Sequence, residues 1–286
     1  PGGSCHIHAI GTRNGNRVHP YGNGRTGLES RSSSVDAEIE ALRNGIASIY
    51  PNINGTPEVK KQASRFIKAF INIDIDPECC VPVTGSMQHI RLFPYGRTMY
   101  AGKDTILFID PGFPVQKRQI AVMGYKYESF DVYEYRGERL REALEAHLSK
   151  GNIAAMIYSN PNNPAWFCLT DEELKIIGEM ANKYDVIVIE DLAYFAMDFA
   201  RTRMSFEPPY QASVARYTDN YIMQISGSKA FSYAGQRIGV TAISNNLPSL
   251  LSGIDSALWR WYVRYGIYPP CLIRPIFRNQ PLGNSP

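Results

Sequence analysis

Two cationic side chains and several hydroxyl groups share one short run of the sequence, ISGSKAFSYAGQRIG at residues 225–239. Lys229 and Arg237 stand eight residues apart there, and Ser226 and Ser228 lie close to the lysine. A lysine amine can form a Schiff base with an aldehyde, and an arginine with hydroxyl groups can bind a phosphate dianion. The run therefore predicts a site for a ligand that carries both an aldehyde and a phosphate.

Other residues with useful chemistry also follow short apolar runs. They occur in TGSMQ (Gly85, Ser86 and Met87), PGFP (Phe113), NPNNP (Asn163) and EDLAYF (Asp191 and Tyr194). Backbone N–H groups in the first segment could hold a phosphate, and an acid that ends an apolar strand needs a partner. Each segment also has a purely structural explanation: a plain strand–helix turn, a core aromatic, an Asn-Pro turn or a helix N-cap.

The apolar runs themselves alternate with helical patterns. The runs are 79–84, 104–110, 153–159, 185–191 and 220–226, and amphipathic stretches such as GERLREALEAHLSK and TDEELKIIGEMANKYD lie between them. This alternation predicts an α/β, doubly wound domain whose mostly parallel sheet is covered by helices on both faces. Ligands bind at the carboxyl ends of the strands in such sheets, which is where the residues named above fall.

The composition and hydrophobic periodicity of the sequence change near residue 35. Residues 1–34 are rich in glycine and serine and lack hydrophobic periodicity, so we expect loop or disorder there. We expect Asp36 to cap a helix that carries Ile39, Leu42 and Ile46 on one face. A second helix is expected to begin at Pro57, because proline suits the first helical turn.

Taken together, the strand-end residues match one cofactor, pyridoxal 5′-phosphate. A carboxylate can keep the ring nitrogen protonated, so that the ring acts as an electron sink. An amide and a phenol can bond the ring hydroxyl, and an aromatic side chain can stack on the ring. The lysine would hold the aldehyde, and the arginine and hydroxyl groups would hold the phosphate.

This ordered set of motifs resembles the class I/II aminotransferases, which are fold-type-I pyridoxal-phosphate enzymes. The resemblance covers residues 36–87 and 104–245 and implies a seven-stranded-type sheet. It implies that Asp191 contacts the pyridine nitrogen and that Asn163 and Tyr194 contact the ring hydroxyl. The remaining cofactor-binding residues that it implies are Phe113 on the ring face, Lys229 as the Schiff base, and Gly85, Ser86, Met87, Ser226, Ser228 and Arg237 around the phosphate.

The resemblance also implies an activity and an assembly. Lys229 would hold the cofactor and then move a proton between the substrate Cα and the cofactor C4′, transferring an amino group between an amino acid and a 2-oxo acid. Tyr50, in YPNINGTPEVKK, would reach the cofactor phosphate of the partner subunit in a homodimer. Two alternatives stay open: a lyase, decarboxylase or synthase on the same fold, or a degenerate, non-catalytic chain.

The sequence departs from the family pattern in three segments. Residues 1–34, about 88–103 and about 253–286 contain few acidic residues and most of the histidines, and we hypothesise that they are frame-shifted or otherwise corrupted. Reading the encoding DNA in its other two frames tests this; the alternative is a divergent working protein. We therefore divide the chain into an irregular segment (1–35), a cofactor-binding large domain (36–245) and a remnant (246–286) of a largely missing small domain. The resemblance implies that this domain would supply the substrate-binding arginine, and no motif assigns the role to Arg274 or Arg278.

The composition argues against a membrane-spanning protein, a nucleic-acid-binding protein and a metal site. The chain has 286 residues, 44% of them hydrophobic, and a formal net charge of +3. It has no apolar run long enough to span a membrane, and its scattered basic residues do not predict nucleic-acid binding. Five cysteines without a CxxC pair favour reduced thiols in the cytoplasm and no metal site.

Overall fold

The computed structural model describes residues 30, 32–49, 55–88, 102–122, 124–198 and 205–247. Predictions for Tyr50, for residues 89–101, and for Arg274 and Arg278 lie outside these ranges. The helices are α1 (Ser32–Arg43), α2 (Pro57–Ile71), α3 (Pro114–Val122), α4 (Arg139–Leu148), α5 (Asp171–Tyr184) and the short α6 (Gly227–Ala230). The strands are β1 (Cys80–Val83), β2 (Thr105–Asp110), β3 (Lys126–Asp131), β4 (Ile153–Ser159), β5 (Ile187–Leu192), β6 (Tyr221–Ser226) and β7 (Gly239–Ile243).

The seven strands form one mixed, mostly parallel sheet in the order β1-β7-β6-β5-β4-β2-β3. Strands β2 to β6 pair in parallel, whereas β7 runs antiparallel to both of its neighbours, β1 and β6. Apolar side chains cover both faces of the sheet in two separate clusters. The predicted α/β architecture is therefore confirmed.

Fully buried strands account for the accuracy of the strand predictions. Every residue of β4, β5 and β6 is buried, as expected for parallel strands between two helical layers. Strand β3 lies at the edge of the sheet, and its residues are exposed or half-buried. It escapes prediction because its sequence, KYESFD, has no apolar run.

Local sequence signals mark the beginnings of α2 and α5. Pro57 occupies the first turn of α2, as predicted. Thr170 caps α5 by accepting a hydrogen bond from the backbone N–H of Glu173, whose own side chain bonds back to the Thr170 N–H. This reciprocal capping box satisfies N–H groups that have no partner inside the helix. None of the helices in the described ranges is long and apolar enough to cross a membrane.

The prediction for α1 is wrong in its details. The helix begins at Ser32, so Asp36 lies inside it and residues 32–34 are not loop. Serine is tolerated in the first turn because the N–H groups there lack intrahelical partners. The predicted apolar face is not buried: Ile39, Leu42 and Ile46 are 40%, 53% and 48% exposed, and Ile46 follows the end of the helix.

The final residues of the unusual 88–103 segment are part of the fold. The Lys103 ammonium donates hydrogen bonds of 2.8 Å to the carbonyl oxygens of Tyr184 and Asp185. These carbonyls lie at the C-terminal end of α5, where the helix dipole favours a cation. Lys103 thereby fixes the entry to β2 against the end of α5.

Candidate functional site

The carboxyl ends of the parallel strands and the β1 turn surround one cavity of about 360 Å³. Of the predicted site residues that the structure describes, all but Gly85 line it. These residues are Ser86, Met87, Phe113, Asn163, Asp191, Tyr194, Ser226, Ser228, Lys229 and Arg237. Residues from five separate segments thus meet at the position that the strand-end rule predicts.

Gly85 lies just outside the cavity lining, in direct contact with Arg237. Its φ of +85° is in the left-handed region, and a Cβ atom there would lie 2.4 Å from Nη2 of Arg237. Gly239, at the start of β7, passes close to the same turn, since its Cβ would lie 3.0 Å from the Ser86 nitrogen. Two glycines therefore let the β1 turn, β7 and the guanidinium approach one another.

The β6 end positions Lys229. The Ser226 hydroxyl accepts a 3.1 Å hydrogen bond from the backbone N–H of Ser228 and caps the single turn of α6. Lys229 follows on this turn and is half-buried. Its ammonium nitrogen lies 5.8 Å from the centre of the Tyr194 ring, which is within the range of a cation–π interaction.

Nearby residues of the same segment orient the Arg237 guanidinium. The backbone φ of Arg237 is 53°, a left-handed conformation that is uncommon for residues other than glycine. Nη1 donates a 2.9 Å hydrogen bond to the carbonyl oxygen of Ala234 and lies 3.4 Å from the Ser228 hydroxyl. The guanidinium is thereby oriented beside the serine hydroxyls and the β1 turn.

Asp191 is a buried carboxyl group whose described hydrogen-bond donors are both neutral. Oδ2 accepts a 2.8 Å bond from the Gln116 amide, and Oδ1 accepts a 3.0 Å bond from the backbone N–H of Ala193. Burial raises the pKa of Asp191 to about 6, against the lowering effect of these two bonds. A carboxylate at neutral pH is therefore available to a cationic group of a ligand.

Tyr194 follows Asp191 in the turn after β5 and is half-buried. Burial, together with the nearby Asp191, raises the pKa of its phenol, which stays protonated at neutral pH. The ring of Trp166 packs edge-on against it, with 5.2 Å between the ring centres. A protonated phenol in the cavity can donate a hydrogen bond to a ligand oxygen.

The loop that carries Asn163 is fixed by hydrogen bonds between side chains and the backbone. The Asn163 N–H lies 3.3 Å from the Ser159 hydroxyl at the end of β4. Asn162 donates from its amide to the Pro111 carbonyl at 2.7 Å, joining this loop to the turn that carries Phe113. Asn163 and Phe113 therefore reach the cavity from two connected loops.

Sequence reasoning missed four residues of the site: Gln116, which bonds Asp191, and Ser159, Ala193 and Ala234, which line the cavity. Ser159 could have been found from its position at the end of an apolar run. Gln116 lies inside a weakly patterned helix and carries no motif.

In the described part of the chain, no three metal-binding side chains cluster together.

A solved structure shares this fold. The chain superposes on an aromatic aminotransferase from Pyrococcus horikoshii with a TM-score of 0.64 and 22% identity, over 86% of this chain and 65% of that one. The likeness shows the fold of the fold-type-I aminotransferases.

Residues 24–263 match the family described as aminotransferase class I and II. The chain belongs to this family. It is 25% identical to a probable aspartate aminotransferase of Methanocaldococcus jannaschii over 83% of this chain and 60% of that relative. It is 28% identical to the glutamate-pyruvate aminotransferase AlaC of Escherichia coli over 79% of this chain and 53% of that relative. The match thus spans little more than half the length of these relatives.

Proposed function

We propose that this protein is a pyridoxal-phosphate-dependent aminotransferase that moves an amino group between an amino acid and a 2-oxo acid. One observation carries the proposal: an amine, a buried carboxylate and a guanidinium, from Lys229, Asp191 and Arg237, line a single cavity. Family membership supports the same activity.

The cavity residues fit the chemistry of this cofactor. A volume of about 360 Å³ is in the range of small-ligand sites. Arg237 and the hydroxyls of Ser86, Ser226 and Ser228 suit a phosphate dianion. Asp191, which has no cationic partner among the described hydrogen bonds, suits a protonated ring nitrogen.

The roles that we propose for the other residues follow from their functional groups. Pyridoxal 5′-phosphate supplies, when bound, an electrophilic aldehyde and an electron-withdrawing ring. The Lys229 amine would hold the aldehyde and, once free, would accept the proton from the substrate Cα. Asn163 and Tyr194 would donate hydrogen bonds to the ring hydroxyl, and Phe113 would cover the ring face.

Assembly, location and domain division belong to the same proposal. We propose a homodimer in which Tyr50 reaches the partner's site, a cytoplasmic location, and the division into a large domain that ends at residue 245 and a remnant at 246–286. The boundary expected between residues 35 and 36 falls inside α1, so the large domain includes this helix from Ser32. The thiols of Cys79 and Cys80, which are not joined as a disulfide, are consistent with a reducing compartment. Sedimentation of the purified chain tests the dimer, and a monomer at all concentrations would contradict it.

The experiment that tests the activity is visible absorption spectroscopy of the purified chain with added pyridoxal 5′-phosphate. We expect a band at longer wavelength than that of the free cofactor, and its absence in Lys229→Ala. An added amino acid should remove the band, and an added 2-oxo acid should restore it. Lys175→Ala is the matched control, because Lys175 is 62% exposed on α5 and lies outside the cavity lining. A wild-type protein without the band, or a Lys229→Ala variant that keeps it, would overturn the proposal.

A further inference from the structure

Gln116 is the buried neighbour of Asp191 that no motif identifies. Its side chain is 1% exposed, and its amide nitrogen donates a 2.8 Å hydrogen bond to Oδ2 of Asp191. The other carboxylate oxygen, Oδ1, is bound by the backbone N–H of Ala193. Within the described part of the chain, each oxygen of the carboxylate thus has one donor, and the two donors set the plane and the rotation of the group.

Gln116 also joins the carboxylate to the aromatic side of the cavity. Its backbone N–H donates a 3.1 Å hydrogen bond to the carbonyl oxygen of Phe113. The first turn of α3 therefore connects Phe113 and Asp191 through a single residue. Both of these residues line the cavity, whereas Gln116 itself does not.

The position of α3 does not depend on this glutamine alone. Lys117, the next residue, forms an ion pair with Asp110 at the end of β2. Ile120, one turn later, is fully buried in one of the two core clusters that cover the sheet. Because these contacts anchor the helix, loss of the Gln116 amide should change the carboxylate more than the fold.

We infer that Gln116 is a positioning residue, which orients the Asp191 carboxylate toward the ring nitrogen of the cofactor. The inference rests on the proposed function, since it requires that Asp191 binds that nitrogen. An amide suits this role because it donates a hydrogen bond without carrying a charge. Asp191 therefore keeps its full negative charge for the ligand, which an arginine or lysine partner would neutralise.

The test compares two ligands that differ at one atom. The dissociation constant is measured for pyridoxal 5′-phosphate and for its deaza analogue, in which a C–H group replaces the ring nitrogen. In Gln116→Leu, a misoriented Asp191 should lose its hydrogen bond to the ring nitrogen. Loss of a hydrogen bond between charged groups should weaken binding of pyridoxal 5′-phosphate about tenfold. Binding of the deaza analogue should change little, because that ligand has no nitrogen for Asp191 to bind.

A double-mutant cycle separates positioning from a structural role. In an Asp191→Asn background, Gln116→Leu should cause no further loss of preference for the nitrogen-containing ligand. Gln116→Met, which has a similar length and no donor, serves as a second variant where the leucine variant does not fold. Gln62→Leu is the matched control, since Gln62 is exposed on α2 and bonds Glu58.

Equal weakening of both ligands, or no weakening of pyridoxal 5′-phosphate, would overturn the inference and leave the proposed function intact. A wild-type chain that binds neither ligand would instead overturn the proposed function.

Discussion

Arg237 and Gly85 illustrate how closely single residues are fitted at the phosphate end of the cavity. Arg237 adopts a left-handed backbone conformation, and Gly85 has a φ of +85° and no room for a Cβ beside the guanidinium. Residues in sparsely populated conformations concentrate at functional sites, because the surrounding structure holds them there. This pair is therefore the most sensitive point of the proposed phosphate site.

Substitution of Gly85 by alanine should displace the Arg237 guanidinium. We expect pyridoxal 5′-phosphate to bind at least about tenfold more weakly, through loss of a charge-assisted hydrogen bond. Binding of pyridoxal, which has no phosphate, should change little. Titration of both ligands by absorption measures this.

The control for this substitution is Gly151→Ala. Gly151 also has a positive φ of +76°, but among the described residues no atom beyond its chain neighbours lies within 4 Å of the Cβ position. Both variants should lose about 1 kcal/mol of stability from the left-handed conformation, and only Gly85→Ala should lose phosphate affinity. Equal affinities for pyridoxal 5′-phosphate in the two variants would refute the proposed role of Gly85.

At this scale, the sequence predicts the cavity residues that follow apolar strands, because strand ends converge in a parallel sheet. It does not predict Gln116, whose partner Asp191 is 75 positions away. A single hydrogen bond between distant residues leaves no periodic signal in the sequence.

Strand β5 carries two adjacent buried carboxyl groups that point to opposite faces of the sheet. Asp191 faces the cavity, whereas Glu190 accepts hydrogen bonds from the hydroxyls of Tyr158 and Ser213 and from the Val214 N–H. Glu190 is fully buried, and burial raises its pKa to about 7. The element most central to the site thus also contains a titrating group at the opposite face.

Glu190 should make the protein less stable as the pH rises toward neutrality. A raised carboxyl pKa favours the folded state below about pH 4.5, and this contribution is lost as the pH increases to about 7. Asp191, whose pKa is raised to about 6, acts in the same direction. Glu190→Gln should therefore reduce the stability difference between pH 5 and pH 8 by about 2 kcal/mol.

Urea unfolding of both proteins at pH 5 and pH 8 measures this difference. The exposed Glu172→Gln on α5 is the matched control and should leave the pH dependence unchanged. The opposite contribution of Glu128 and Glu173, whose pKa values are lowered by their hydrogen-bonded partners, belongs to more acidic pH. A wild-type stability that rises from pH 5 to pH 8 would contradict the expectation.

Elements were predictable where burial was complete. The runs that form β4, β5 and β6 are mostly apolar, and the structure buries every residue in them. The edge strand β3 was missed because its side chains are largely exposed and its sequence has no apolar run. Helix α1 was predicted from its apolar spacing, but its start was placed too late and its apolar face is exposed.

Residues at the ends of five strands of the sheet contribute to the cavity. The turn after β1, the loops after β2 and β4, and the ends of β5 and β6 each supply at least one lining residue. A ligand that contacts all of these segments binds the folded chain and not the unfolded one. Binding must therefore stabilise the entire fold by mass action.

This linkage predicts that pyridoxal 5′-phosphate raises the thermal unfolding midpoint. At a free concentration a hundredfold above the dissociation constant, the gain is about 2.7 kcal/mol, or about 5 to 10 °C for a chain of this size. Differential scanning calorimetry with and without the cofactor measures the shift. Pyridoxal at the same concentration should give a smaller shift, because it cannot use Arg237, and Lys229→Ala should reduce the shift with the cofactor. An unchanged midpoint at saturating cofactor would mean that the described strand ends do not form its binding site.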